Sequence, residues 1–211
     1  MENKFVIAIN RECGTNGTAI AKKLGELLGV KVYDRRLLDT LTSRFNLTKE
    51  EIEQVKAKKK PWWADFCNFY NQFGDKGIRP LEPNSEVTSM KVYQAEAQIL
   101  RDLVEKESCI IVGRSAFHIF RDNPSVAKIF LIANEKDRIR HICQKYNVDE
   151  TKAHRIVNET DEARETFTKT FAGTSRYDAR NYDLVINVSG EQADTVAKFL
   201  ANLVEMRFCK K

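Results

Sequence analysis

Phe5-Val-Ile-Ala-Ile-Asn-Arg-Glu-Cys-Gly-Thr-Asn-Gly-Thr-Ala-Ile-Ala-Lys-Lys-Leu24 is the stretch whose reading decides the fold. Five apolar residues, Phe5 to Ile9, stop at a small polar loop, after which Ile20, Leu24, Leu27 and Leu28 recur at helical spacing. Strand, glycine-containing loop and helix in that order frame an anion site, because loop amides and the positive end of a helix dipole converge there. The usual G-x-x-x-x-G-K-[ST] phosphate signature is not satisfied. Gly17 stands where a lysine would be expected, and Ala19 holds the place of the magnesium-binding hydroxyl.

Outward from this stretch, short apolar runs alternate with amphipathic segments. Val30–Tyr33 reads as a brief strand ending at Asp34, and Leu37, Leu38 and Leu41 begin a helix. Thr48-Lys-Glu-Glu51 is a capping-box pattern for another helix that Pro61 should end. Residues from about Trp62 to Pro83 read as an irregular lid or insert. A long helix is expected from about Ser85 to Lys106, with Val92, Ala95, Ile99 and Leu103 on one face. Cys109–Val112, Lys128–Ala133 and Leu184–Val188 read as further strands. Asn134 can cap the helix behind the second, and Ser189-Gly-Glu-Gln192 forms a second capping box behind the last. A polar helical region spans about residues 149 to 171. Apolar strands without alternation, each followed by a helix, argue for a parallel sheet covered on both faces. Ligands in such sheets bind beyond the carboxyl ends of the strands. The loop at 10–18, Asp34, Gly113-Arg114, Asn134 and Asn187 all fall at those ends.

The 211 residues suit one α/β domain with an excursion and are enough to bury a core without staples. Lys and Arg number 35 against 30 Asp and Glu, a net +5 that suits anionic small molecules. The bases are interspersed with acids, so nucleic acid is not an expected partner. The five cysteines are odd in number and scattered, which reads as reduced, cytoplasmic usage rather than a disulfide framework. The three histidines show no metal-ligand spacing, so no protein-held metal is expected. No apolar run approaches a bilayer span.

Individual residues admit two readings each. Gly14 and Gly17 are either turn glycines or points where backbone approaches phosphate. Thr15, Asn16 and Thr18 can cap the helix, or their side chains can reach a phosphate oxygen or magnesium. Arg11, just past the strand end, is either a solvated loop residue or the replacement for the missing lysine charge. Lys22 and Lys23 lie a turn into the helix and read as surface residues. Cys13 sits near a helix N-terminus, but a cysteine-phosphatase loop needs an arginine six positions on, where Ala19 stands. Cys13 is therefore a small loop filler. Arg155, Asp161 and Arg164 can form ion pairs between helical turns. The run Lys56-Ala-Lys-Lys-Lys-Pro-Trp-Trp63 reads as a solvated helix end followed by packed tryptophans. His118, His141 and His154 have no evident partners.

Taken together, Arg11–Ala21, Tyr33-Asp34, Val112-Gly-Arg114, Ile129–Ala133, Asp161-Glu-Ala-Arg164 and Tyr182–Asn187 resemble the cytidylate kinase-like family of nucleoside monophosphate kinases. The resemblance covers nearly the whole chain. It implies a P-loop-type three-layer α/β/α domain over residues 1–211, with a five-stranded parallel sheet. It also implies an acceptor-binding insert at about 35–100 and a helical lid at about 149–171. The family loop usually already lacks the lysine, and Thr15 and Asn16 here depart from it further. The implied activity is phosphoryl transfer from ATP or another nucleoside triphosphate, with magnesium, to a small acceptor that is most simply a nucleoside monophosphate. Gly14 to Thr18 and Arg11 would hold the donor phosphates, with Asp34 as the nearest carboxylate for the ion. Arg114 would meet the acceptor, and Arg164 with Asp161 would serve the transfer from the lid. True cytidylate kinases carry acidic residues on either side of the Gly-Arg pair. Val112 and Ser115 stand there in this sequence, leaving specificity for cytidine monophosphate unsupported. Two further expectations stay open: a sensor that binds nucleotide without turnover, and a kinase of a non-nucleotide metabolite.

Overall fold

The computed structural model describes residues 4–34 and 86–208, apart from the side chains of residues 86–92, 95 and 96. The expected helix at Leu37, the Thr48 capping box, the insert between Trp62 and Pro83 and the lysine run before Trp62 lie outside the described residues.

Five parallel strands run in the order β2-β3-β1-β4-β5. They are β1 (Val6–Arg11), β2 (Lys31–Tyr33), β3 (Cys109–Val112), β4 (Val126–Ile132) and β5 (Leu184–Asn187). Among the described residues the helices are α1 (Gly17–Leu28), α2 (Glu86–Lys106), α3 (Ala116–Ile119), α4 (Glu135–Tyr146), α5 (Glu150–Ala172) and α6 (Ala193–Phe208). The central strand shows why three layers form. Phe5, Ile7 and Ile9 pack with Ile20 and Leu24 of α1 and Val196 and Leu200 of α6. Val6 and Ala8, on the other face, pack with Leu100 of α2 and Ala116 of α3. Alternation along one buried strand thus serves two helical layers. A third cluster joins α4 to α5 through Ile139, Ile142, Ala153, Ile156 and Val157, and Cys13 of the first loop enters it.

Several boundaries differ from the sequence reading. β1 continues through Asn10 and Arg11, because these pair with Phe130 and Leu131 of β4 after the apolar run has ended. On α2 Ile99 and Leu103 face inward as expected, joined by Ala97 and Leu100. Asn134 occupies the N-cap position of α4 but makes no side-chain cap bond. The expected capping box at Ser189 does not form: α6 begins only at Ala193. Ser189 Oγ instead accepts the Asn134 amide at 2.7 Å and donates to Asn187 Oδ1 at 2.6 Å, tying the end of β5 to the start of α4. Asp149 does cap α5, accepting the Lys152 amide at 2.7 Å. No described helix is long and apolar enough to cross a membrane.

Candidate functional site

The carboxyl ends of β1, β3 and β4 lie side by side, and the first loop rises from the middle one. Gly14 has φ +87, and a Cβ there would lie 2.5 Å from the Arg138 carbonyl oxygen of α4. Only glycine lets the loop approach that backbone. The ring of His141, one turn further along α4, donates from Nδ1 to the Gly14 carbonyl at 2.8 Å. Thr15 is buried and its hydroxyl donates to the Glu12 carbonyl at 2.9 Å. Asn16 stands at the N-cap of α1 in left-handed backbone (φ 57) without a side-chain cap bond. Asn16 and Thr18 are exposed. Among the described residues, none accepts a hydrogen bond from the amides of residues 14 to 18, whereas the Glu12 and Cys13 amides are both taken. Those open donors sit at the start of a twelve-residue helix, where the dipole favours an anion.

Beneath the loop lies one carboxylate that gathers three arginines. Asp161 of α5 accepts the Cys13 amide at 2.9 and 3.2 Å through its two oxygens. Arg138 Nη1 reaches it at 2.5 Å, Arg176 Nη1 at 3.2 Å and Arg164 Nη1 at 3.4 Å. Arg164 also donates to the Arg11 carbonyl at 3.2 Å, and so does Arg176. Glu12 accepts the Ala133 amide at 3.1 Å and lies 3.7 Å from Arg138. Burial pushes the Cys13 thiol above its ordinary value despite the nearby Arg164 guanidinium, in keeping with a loop filler rather than a thiolate nucleophile. Burial likewise lowers the Arg176 pKa, with Arg164 acting in the same direction and Asp161 against it.

Arg11 bridges two strand ends. A Cβ on Gly17 would meet the Arg11 stem at 3.0 Å, and one on Gly113 would lie 2.2 Å from Arg11 Nη1. The side chain therefore runs from the start of α1 across to the turn after β3. That turn is left-handed at Gly113, Arg114 and Ser115, with φ of 81, 59 and 51. Beside it Tyr182 lies against Phe117 and stacks on Phe130. Its hydroxyl donates to the Arg176 carbonyl at 2.7 Å and accepts from Asn10 Nδ2 at 2.5 Å. Burial raises the Tyr182 pKa, keeping the phenol a donor.

The structure thus brings Arg11, Gly14, Thr15, Asn16, Gly17, Thr18, Asp161 and Arg164 together around one loop, with Arg114 at the neighbouring turn. Asp34 follows β2, which β3 separates from β1, so it stands two strands away from the loop. Lys22 and Lys23 are exposed, Lys23 pairing with Glu26 and Asp194. Sequence reasoning missed Arg138, Arg176 and His141. Arg138 and His141 look like ordinary residues of a polar helix, and Arg176 follows a helix-ending glycine; no spacing marks them. His118 contacts Arg121, and His154 pairs with Glu135 at 2.9 Å.

The description of the cytidylate kinase-like family matches residues 6–190. No curated protein matches the chain. Among solved structures, an uncharacterized protein from Eubacterium ventriosum ATCC 27560 is 24% identical with a TM-score of 0.69, covering 97% of this chain and 100% of that one. Shikimate kinase from Acinetobacter baumannii, solved with shikimate, is 14% identical with a TM-score of 0.51, covering 99% and 97%. A sugar kinase from Janibacter sp. HTCC2649 is 11% identical with a TM-score of 0.52, covering 96% and 95%. These likenesses show a shared fold, the three-layer α/β architecture of P-loop kinases.

Proposed function

The chain belongs to the cytidylate kinase-like family, and from that premise we propose that it transfers a phosphoryl group from a nucleoside triphosphate to a small acceptor, first among them a nucleoside monophosphate. The observation that carries this reading is the row of open amides at residues 14 to 18, placed at the N-terminus of α1 beyond the central strand. Phosphoryl transfer asks a protein mainly for positioning and charge neutralisation. The amides would cradle the donor phosphates. Arg11, lying between the loop and Gly113, would supply the positive charge that a loop lysine usually brings. Arg114, at the turn after β3, would face the acceptor. α5 would act as the lid, with Arg164 as its working arginine. The Arg164 side chain is 20% exposed and Arg176 only 1%, so Arg164 is the one placed to exchange its protein acceptors for phosphate. Asp161 would hold the loop rather than touch substrate.

The open amides fit a triphosphate. For magnesium, no group of three carboxylate, histidine or cysteine ligands exists among the described residues. The ion would arrive on the phosphates, keeping several waters as magnesium usually does. The exposed Thr18 hydroxyl and Asp34 are its candidate protein contacts. When bound, magnesium would neutralise phosphate charge.

A second reading, a non-nucleotide acceptor, is favoured by Val112 and Ser115 flanking Gly113-Arg114 where base-reading acids would stand. Shikimate and sugar kinases share the fold. Thermal-shift titration with nucleoside mono- and triphosphates, with and without magnesium, tests the proposal, because a ligand of the native state must raise its stability. Stabilisation by MgATP and by a monophosphate, with product formation, is expected. Stabilisation without turnover on any acceptor would turn the reading to a nucleotide sensor, and no response to any nucleotide would overturn it.

A further inference from the structure

Arg176 is the largest fully buried side chain in the described protein, with 1% of its surface exposed, so it cannot meet a substrate. Its backbone and both terminal guanidinium nitrogens are engaged. Its amide donates to Glu165 Oε2 of α5 at 3.0 Å, and its carbonyl accepts the Tyr182 hydroxyl. The guanidinium carbon lies 5.6 Å from the Phe130 ring and 5.2 Å from the Tyr177 ring. Of its two terminal nitrogens, Nη1 donates to Asp161 and Nη2 to the Arg11 carbonyl.

The second contact is the informative one. An ion pair with Asp161 alone would serve to neutralise a buried carboxylate, and Arg138 already does that at 2.5 Å. The other arm instead reaches the carbonyl of the last residue of β1, where the sheet ladder ends. The Arg11 amide is meanwhile held by Asn10 Oδ1 at 2.9 Å, so both sides of that residue's backbone are clamped. Asp161, pinned by the same guanidinium, takes the amide of Cys13 two residues on. One planar fork thus brackets residues 11 to 13, from which the Arg11 side chain departs past Gly17 toward Gly113. An ammonium group lacks the two parallel N–H vectors this requires.

We infer that Arg176 is a positioning residue that acts through the Arg11 carbonyl and Asp161 to aim the Arg11 side chain and hold the loop in its amide-open form. The inference rests on reading that loop as a triphosphate site. Its test pairs ligand binding with a measurement that needs no ligand, both on the full-length chain. MgATP and inorganic pyrophosphate are titrated calorimetrically into the wild type, Arg176→Met, Arg11→Ala and the double variant. Arg176→Met should weaken both probes at least about tenfold in the Arg11 background and less than about twofold in the Arg11→Ala background. An equal loss in both backgrounds would mean general structural damage and would overturn the assignment.

Independently, amide exchange followed by nuclear magnetic resonance should rise at least about tenfold at Glu12 and Cys13 in Arg176→Met. Exchange at Ile110 and Ile111 of β3 should stay unchanged. Unaltered Glu12 and Cys13 exchange would also overturn the assignment. Should the methionine variant not fold, Arg176→Lys supplies the same comparison, since its ammonium cannot serve both acceptors as the fork does. A wild type that binds neither probe would remove the kinase reading, and the exchange result would still decide what Arg176 does.

Discussion

Asp161 and Glu107 each collect strong donors, one at the carboxyl end of the sheet and one at its amino end. Asp161 is 8% exposed and holds three guanidiniums and a backbone amide. Glu107 is 31% exposed and takes the Lys31 ammonium at 2.8 Å together with the Tyr33 hydroxyl. The chemistry is alike and the setting is not. Water screens the Lys31–Glu107 pair, whose lysine is 67% exposed, whereas the arginines around Asp161 have little water to fall back on. The difference also tracks what each carboxylate secures. Glu107 joins the starts of two strands whose pairing already holds them, while Asp161 joins a loop to a helix that no strand pairing ties together.

Removing the buried carboxylate should have the largest effect. Asp161→Ala leaves three guanidiniums and the Cys13 amide without their shared acceptor, and denaturant unfolding should show a loss of about 3–5 kcal/mol. Asp161→Asn, which still accepts the Cys13 amide, should recover part of it. A loss below about 1 kcal/mol for Asp161→Ala would erase the contrast with Glu107.

Arg11→Ala sharpens the comparison by separating binding from stability at the same end of the sheet. A charged partner to phosphate is worth about 1.5–3 kcal/mol, so MgATP affinity should fall at least about tenfold, with the unfolding midpoint little moved. Unchanged affinity, measured by calorimetry, would show that Arg11 supplies no charge to the loop. The Gly14→Ala variant then asks whether the loop tolerates any side chain facing Arg138. Left-handed backbone and the 2.5 Å approach together predict destabilisation of about 1–3 kcal/mol in thermal or denaturant unfolding.

The smallest effect belongs to the exposed cluster. Glu107→Gln should lower stability by no more than about 1 kcal/mol at neutral pH. The Lys31 ammonium and then the Tyr33 hydroxyl hold the Glu107 carboxyl below its ordinary value. Its contribution is therefore fully present above the unfolded value of about 4.3 and disappears as pH falls through the lower folded value. Wild type and Glu107→Gln unfolding curves should converge in that acid range, and high salt should narrow the gap at pH 7. A gap that persists unchanged under both conditions would mean that Glu107 works through packing rather than charge.

Much of the frame was legible residue by residue. Cys109–Val112 forms the strand its apolar run indicates, and α2 runs from Glu86 to Lys106 close to its expected limits. The polar helical region expected from about residue 149 to 171 is α5, Glu150 to Ala172. Ser189 misled because its hydroxyl found partners across the chain in Asn134 and Asn187, and a local capping pattern cannot register that competition. At the site, the place of the loop that carries Arg11, Gly14 and Gly17 was legible because a loop after an apolar strand has a position dictated by that strand. His141 was passed over because its acceptor, the Gly14 carbonyl, lies 127 positions earlier.

The sequence by itself determined the parallel α/β frame and the place of the glycine-containing loop after β1. Apolar runs, glycines and caps act over a few residues, and a buried strand has nowhere to go but the sheet. Tertiary structure alone decided which charges meet beneath that loop. Arg11 and Arg176 are 165 positions apart, and Cys13 and Asp161 are 148 apart. The chain is rich in arginines on polar segments, all alike to a pattern read along the sequence. Only the packing of α4 and α5 against the end of β1 removes water from some of them, and once water is gone each charge must find a partner.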